Sequence, residues 1–257
     1  MNIRLLRHAT LLLSIGDRTI LVDPMLSHAG AMDPVRNAAS EERIPLVDLP
    51  LSDEELQSML LHLDGILVTH DHRDHFDQTA AEILPKHLPL FCPDVYRNEQ
   101  EFQKCGFERV IPIQDSLQWQ TIQFIRTGGQ HGTGAIGRKM GSVSGFVIQT
   151  DGSPTLYIAG DSIWCAEVEQ AILRYQPDII VVNSGAARFL AGDPITMDIN
   201  DVARVYSTAP QSTIVAVHFE AINHCILTRE KLREALEQRG FLQQVRIPMD
   251  GEILTFS

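Results

Sequence analysis

The sequence predicts an α/β fold in which two sheets pack face to face between outer helices, a four-layer αββα sandwich. Each half of the 257-residue chain begins with closely spaced apolar runs that favour hairpins, and continues with alternating strand and helix patterns. A chain of this length can bury a large core, and no low-complexity linker divides it. We therefore expect residues 1–257 to form a single domain built from two similar halves.

The first half is predicted to begin with a three-stranded antiparallel unit. Gly16-Asp17 joins the second and third apolar runs and is typical of a hairpin turn. Segment 25–50 has little periodicity, and a loop of that length is usually functional or mobile. The pattern predicts strands at 3–6, 11–15, 19–23, 65–69, 88–92, 108–113 and 118–126, and helices at 52–63, 76–84 and 98–105.

The second half is predicted to repeat this plan. It opens with a flexible glycine-rich loop at 128–134, and Asp151-Gly152 marks a turn between two strands. Asp198 is the predicted N-cap of a helix. The pattern predicts strands at 143–150, 155–160, 179–182 and 213–217, helices at 163–175, 198–207 and 228–239, and a final pair of strands.

Composition narrows the function. With 44% hydrophobic and 21% charged residues the chain is of ordinary globular composition, and its formal charge of −12 disfavours a nucleic-acid partner. The four cysteines form no Cys-x-x-Cys pair, which favours a reducing compartment. Because no signal-peptide pattern and no apolar run of about 18 residues occurs, we expect a cytoplasmic protein without a membrane span. The composition is compatible with a monomer and with a homo-oligomer.

The central motif follows the apolar run that begins at Ile66. His70, His72, Asp74 and His75 place four potential metal ligands within six residues. His70 and His72 are expected to point the same way, because side chains alternate along an extended backbone. The spacing predicts one metal held by His70 and His72, and a second held by Asp74 and His75.

Three further candidate ligands lie where predicted strands or loops end: His131, Asp161 and His218. In layered α/β folds such ends converge on a ligand site. Taken singly, an Asp before a helix is more often an N-cap, and a His at a strand end is more often only hydrogen-bonded. Together with the central motif they predict two divalent metals, Zn²⁺ first, with Mn²⁺ and Fe²⁺ as alternatives.

These motifs resemble the metallo-β-lactamase superfamily over nearly the whole chain, and among its branches the one containing L-ascorbate-6-phosphate lactonase. The resemblance implies the metallo-β-lactamase fold. Histidine at position 72, where a di-iron redox branch carries glutamate, favours hydrolysis. The resemblance also implies one metal on His70, His72 and His131, a second on Asp74, His75 and His218, and a bridging Asp161.

Two histidines keep alternative interpretations. His224 lies six residues after His218, and either could be the last ligand. We prefer His218, because the end of a strand fixes its direction; His224 then faces the substrate as a candidate proton donor. His8 is a structural histidine or a neighbour of the site.

The predicted activity is metal-dependent hydrolysis of a small anionic ester or lactone, such as a sugar-phosphate lactone. A metal pair lowers the pKa of a bridging water to about 7, and the hydroxide attacks a carbonyl or phosphoryl centre. Asp74 would orient this hydroxide as well as bind metal. Arg138, Lys139 and Arg188 are either anion-binding residues or solvated surface charges. The alternative functions are a phosphodiesterase acting on a nucleotide or phospholipid head group, and a non-enzymatic metal-binding or sensing module.

Overall fold

The computed structural model describes residues 1–94 and 98–257, which contain two seven-stranded sheets. The strands are β1 (Asn2–Arg7), β2 (Thr10–Ile15), β3 (Arg18–Val22), β4 (Gly65–Leu67), β5 (Pro89–Pro93), β6 (Arg109–Ile113), β7 (Ser116–Trp119), β8 (Ile122–Thr127), β9 (Gly145–Gln149), β10 (Leu156–Ile158), β11 (Ile179–Asn183), β12 (Thr213–Val217), β13 (Val245–Arg246) and β14 (Ile253–Thr255). The helices are α1 (Asp53–Leu60), α2 (Gln78–Ile83), α3 (Asn98–Lys104), α4 (Gly134–Met140), α5 (Ala166–Tyr175), α6 (Ile199–Thr208) and α7 (Arg229–Gln238).

Both sheets have the same plan. The first has the order β14-β1-β2-β3-β4-β5-β6, antiparallel from β14 to β3 and parallel from β3 to β6. The second has the order β13-β12-β11-β10-β9-β8-β7, antiparallel from β7 to β10 and parallel from β10 to β13. The predicted repeat of a hairpin unit followed by alternating strand and helix is therefore confirmed.

Three apolar clusters separate the four layers. One lies between the two sheets, one beneath α1–α3 and one beneath α5–α7. Strand β12 shows how the sequence specifies these layers. Val215 and Val217 lie in the cluster between the sheets, while Ile214 and Ala216 lie in the cluster beneath α5–α7. Both faces of the strand are buried, and its sequence is accordingly an uninterrupted apolar run. The predicted four-layer fold is confirmed.

Three predicted elements differ from the structure. The strand predicted at 118–126 is the hairpin β7–β8, whose tight turn places Gln120 at φ +54° without the usual Asn-Gly or Asp-Gly signal. The final strands do not pair with each other, because β13 joins β12 and β14 joins β1. Helix α4 was not predicted, and the glycines within and around it conceal its helical pattern.

Segment 25–50 is tied down from two sides. The buried Arg7 guanidinium donates hydrogen bonds to the carbonyl oxygens of Met25, Ser27 and Val47. The Asn223 side chain accepts from the amide of Val35 at 2.9 Å and donates to its carbonyl at 3.0 Å. Together these contacts fix the segment beside the loop that follows β12. Within the described ranges, every helix is too short or too polar to cross a membrane.

Candidate metal centre

The predicted site residues meet at one edge of the sandwich. The loop after β4 carries His70–His75, β10 leads into Asp161, and β12 leads into His218. Before Asp161 the chain turns sharply at Gly160, which has φ +67°. A Cβ there would lie 2.7 Å from the carbonyl oxygen of Ser144, so glycine is required for this turn.

His70, His72 and His131 form a first cluster, which we call the open group because His72 is only half-buried. Their candidate ligand atoms all lie within 4.8 Å of one another. His72 turns its Nδ1 to within 3.1 Å of His70 Nε2. His131 comes from the other half of the chain, so the open group joins the two halves.

Asp74, His75 and His218 form a second cluster, the buried group. The Nε2 atoms of His75 and His218 each lie 3.8 Å from Asp74 Oδ2, and both imidazoles are fully buried. His8 also belongs to this cluster by distance. Its Nε2 lies 3.3 Å from Asp74 Oδ2, so the histidine of uncertain role in the sequence does lie at the site.

Asp161 lies between the two groups. Its Oδ2 is 3.3 Å from His75 Nε2 and 3.5 Å from His131 Nε2, while its Oδ1 is 3.2 Å from His218 Nε2. Its carboxylate thus faces both groups at once. All seven sequence-predicted candidates are brought together, and their roles as metal ligands stay a prediction.

Three outer partners hold these side chains: Asp23, Asn183 and Cys225. Asp23 accepts a hydrogen bond from His75 Nδ1 at 2.8 Å. Asn183 donates to Asp161 Oδ1 at 2.6 Å, and Cys225 Sγ lies 3.5 Å from His218 Nδ1. Asn183 could have been found, because it is the polar residue that ends the apolar run of β11. Cys225 has no such signal.

The buried carboxylates are strongly anionic. Burial alone would raise the pKa of Asp161, but His218 and His75 lower it well below its usual value. Burial likewise opposes ionisation of Asp74, yet His75 and His8 keep its pKa well below its usual range. Burial alone would lower the pKa of His218, but its charged neighbours, Asp161 foremost, together outweigh burial and the pKa rises to about 10. The two carboxylates therefore require positive charge in the cluster.

The donor atoms fit divalent metal ions. The Nε2 atoms of His75 and His218 are buried without a hydrogen-bond partner among the described residues, although carboxylate oxygens lie near them. Buried polar atoms are normally paired, so two orphan nitrogens that point into one anionic cluster fit a positively charged partner. Neutral imidazole and carboxylate are the donors that Zn²⁺ and related metals take.

A cavity of about 400 Å³ opens onto the centre. Its floor includes His72, Asp74, His131 and Asp161, and its walls come from segment 25–50, the loop after β4, the end of α4 and two later loops. The wall residues are Asp33, Pro34, Val35, Arg36, Arg73, Met140, Phe189 and His224.

The predicted anion-binding residues are not in this cavity. Arg138 and Lys139 are exposed on α4, and Arg188 uses its backbone amide to bond the carbonyl of His224. Arg36 and Arg73 line the cavity instead. Sequence reasoning missed them because neither lies on an element whose direction could be predicted.

His218 and His224 occupy different places. His218 contacts Asp74 and Asp161 inside the buried group, whereas His224 lines the cavity and has a buried Nδ1 without a partner among the described residues. Burial lowers the pKa of His224 to about 4, so its resting imidazole is neutral. The preference for His218 as ligand agrees with this geometry and stays a prediction.

Comparisons with known proteins agree with this arrangement. Residues 18–219 match the family model of the Beta-lactamase superfamily domain. The UPF0173 protein YddR of Bacillus subtilis (strain 168) is 35% identical over 258 residues and covers all of both chains, and further UPF0173 relatives are named metal-dependent hydrolases.

Two solved structures share the whole fold. The crystal structure of a possible metal-dependent hydrolase from Veillonella parvula DSM 2008 is 32% identical, with a TM-score of 0.95, over 100% of this chain and 99% of that one. An isothiocyanate hydrolase from Delia radicum gut bacteria is 33% identical, with a TM-score of 0.93 over the same shares of the two chains.

Proposed function

This chain belongs to the metallo-β-lactamase superfamily, within the UPF0173 family of metal-dependent hydrolases, and we propose that it hydrolyses small isothiocyanates. The lining of the cavity carries this proposal, since Val35, Met140 and Phe189 add apolar side chains to the polar residues of the centre. Such a site suits an uncharged organic group attached to an electrophilic carbon. Similarity over the whole chain to an isothiocyanate hydrolase supports the same substrate class.

We further propose that the centre takes two divalent metals, one on the open group and one on the buried group, with Asp161 between them. Zn²⁺ is the first candidate, and Mn²⁺ and Fe²⁺ suit the same donors. Bound metals of this kind lower the pKa of water to about 7 and polarise the group under attack.

The side chains would divide the remaining tasks. Phe189 and Met140 hold the organic group, which leaves the isothiocyanate carbon above the polar floor. Asp74 accepts a hydrogen bond from the attacking water and so orients it. Water adds to the central carbon and one of its protons passes to nitrogen, which gives a thiocarbamic acid. The second proton then passes to nitrogen as the carbon–nitrogen bond breaks, which releases an amine and carbonyl sulfide. His224 borders the cavity where it can donate a hydrogen bond to substrate; proton donation by His224 stays a prediction.

A small anionic ester or lactone is the second candidate substrate. The observation in its favour is that Arg36 and Arg73 line the cavity, where a guanidinium can hold a carboxylate or phosphate. This is the substrate class predicted from the sequence. Arg36 and Arg73 take the anion-binding role that was predicted for Arg138, Lys139 and Arg188.

Turnover of benzyl isothiocyanate tests the proposal. Protein reconstituted with Zn²⁺, Mn²⁺ or Fe²⁺ should release many equivalents of benzylamine per chain, whereas the Asp161→Ala variant should release none above background. Counting amine rather than lost isothiocyanate excludes simple reaction with cysteine thiols. Absence of amine, with turnover of a sugar-phosphate lactone, would support the second candidate. Turnover of bis-p-nitrophenyl phosphate alone would contradict both.

A further inference from the structure

His8 is a buried imidazole to which the proposed function gives no task. It follows β1 with φ +61°, a left-handed conformation that is unusual outside glycine. Its carbonyl oxygen accepts a hydrogen bond from the His218 amide at 2.9 Å, and the two imidazole rings lie 3.6 Å apart between centroids. Such strain persists where the surroundings fix the residue, and it is concentrated at functional sites.

Two roles agree with the distances. His8 Nε2 lies within 4.8 Å of the candidate ligand atoms of Asp74, His75 and His218, so His8 could be a further metal ligand. It also lies 3.3 Å from Asp74 Oδ2, so it could instead donate a hydrogen bond to that carboxylate.

The other ring nitrogen separates these roles. A histidine that binds metal through Nε2 carries its proton on Nδ1, and that proton is almost always donated to a partner. His70, His75, His131 and His218 follow this rule, since Nδ1 of each has a neighbouring acceptor. The acceptors are Thr69 Oγ1, Asp23 Oδ2, the Ile195 carbonyl oxygen and Cys225 Sγ respectively.

His8 departs from this rule. Its Nδ1 is buried and has no hydrogen-bond partner among the described residues. A proton on that nitrogen would be a buried donor without an acceptor, which is costly. The proton therefore belongs on Nε2, which points to Asp74.

We propose that His8 is a positioning residue that donates its Nε2–H to the Asp74 carboxylate and does not bind metal. This hydrogen bond holds Asp74 Oδ2 towards His75 and His218. The proposal rests on the two-metal centre of the proposed function, and it assigns His8 to the outer partners together with Asp23 and Asn183.

A matched pair of variants tests this role. His8→Asn keeps a side chain that tolerates positive φ but is too short to place a donor where Nε2 lies. His8→Gln can place its amide nitrogen near the position of Nε2. Both are reconstituted with Co²⁺ beside wild type and His218→Ala, and the bound cobalt, its dissociation constants and its visible absorption spectrum are measured.

We expect all His8 variants to bind two equivalents of cobalt with the wild-type number of nitrogen ligands. In His8→Asn the dissociation constant of the tighter-bound cobalt, which the buried group would hold, should rise by about 10- to 100-fold, and His8→Gln should restore it. Loss of one equivalent in His8→Asn, as in His218→Ala, would make His8 a ligand and overturn the proposal. Unchanged dissociation constants with only a lower melting temperature would overturn it in favour of a structural role.

The wild-type measurement distinguishes the two proposals. Fewer than two equivalents of cobalt in wild type would contradict the two-metal centre itself. Two equivalents in wild type without any turnover of benzyl isothiocyanate would contradict only the proposed substrate, and the His8 test would still stand.

Discussion

The open group and the buried group have nearly the same chemistry but different support. In the buried group each ligand candidate has an outer partner: Asp23 for His75, His8 for Asp74 and Cys225 for His218. In the open group the His72 ring is half-buried, and its only hydrogen-bond contact among the described residues is with His70. Outer partners orient ligands and raise metal affinity, so we expect the buried group to bind the tighter metal.

The largest effect should come from the carboxylate between the groups. Asp161→Ala removes the side chain that faces His75, His131 and His218, so we expect weakened binding of both metals and a loss of kcat/KM well above 100-fold. Asp23→Ala removes only an outer partner of His75, and metal affinity should fall by about 10- to 100-fold. Elemental analysis and kinetics at matched folding measure both. Equal losses in the two variants would contradict a position of Asp161 between the two metals.

The next effect separates His218 from His224. His218→Ala should lose one metal equivalent, because it removes a candidate ligand of the buried group. His224→Ala should keep both metals and lose activity by about 10²–10⁴-fold with substrates that need a proton donor.

An activated ester is the control for this pair, since its leaving group needs no proton and should restore activity to His224→Ala alone. Elemental analysis after desalting counts the metals. If His224→Ala sheds a metal while His218→Ala keeps both, the two assignments must be exchanged.

Metal removal compares the groups directly. Titration with a chelator should remove one metal before the other, and His72→Ala should abolish the weaker site selectively. At a free metal concentration about 100 times the dissociation constant, one bound ion stabilises the fold by about 2.7 kcal/mol. For a chain of this size that corresponds to a fall in Tm of roughly 5–10 °C on removal. A single step that releases both metals together would contradict unequal support.

The smallest effect concerns the cavity rim. Exposed charges contribute about 0.2–1 kcal/mol, so Arg36→Ala should raise KM for an anionic ester by only about 1.5- to 5-fold. KM for benzyl isothiocyanate should not change, and the exposed Arg138→Ala is the matched control for both substrates. Initial-rate kinetics at low ionic strength measure the effect. An equal rise in Arg138→Ala would show that charge alone is responsible, rather than position in the cavity.

Local patterns in the sequence determined the fold and the candidate donors. The uninterrupted apolar run of β12 and the repeated plan of hairpin followed by strand and helix are short-range features, and the structure confirms both. The cluster from His70 to His75 likewise occupies six neighbouring residues. His131, Asp161 and His218 could be predicted because strand ends converge at one edge of a sheet.

Only the tertiary structure decided which residues surround those donors. His8 meets Asp74, and Asn183 meets Asp161, because the strands that lead into each pair end at the same edge of one sheet, whereas His8 meets His218 because the ends of the two sheets pack together. Arg36 and Phe189 reach the cavity on irregular segments whose direction no periodicity reports. The sequence therefore determined the candidate metal donors. Packing within each half determined their outer partners, and packing of the two halves determined the cavity, since those contacts lie between different elements of the fold.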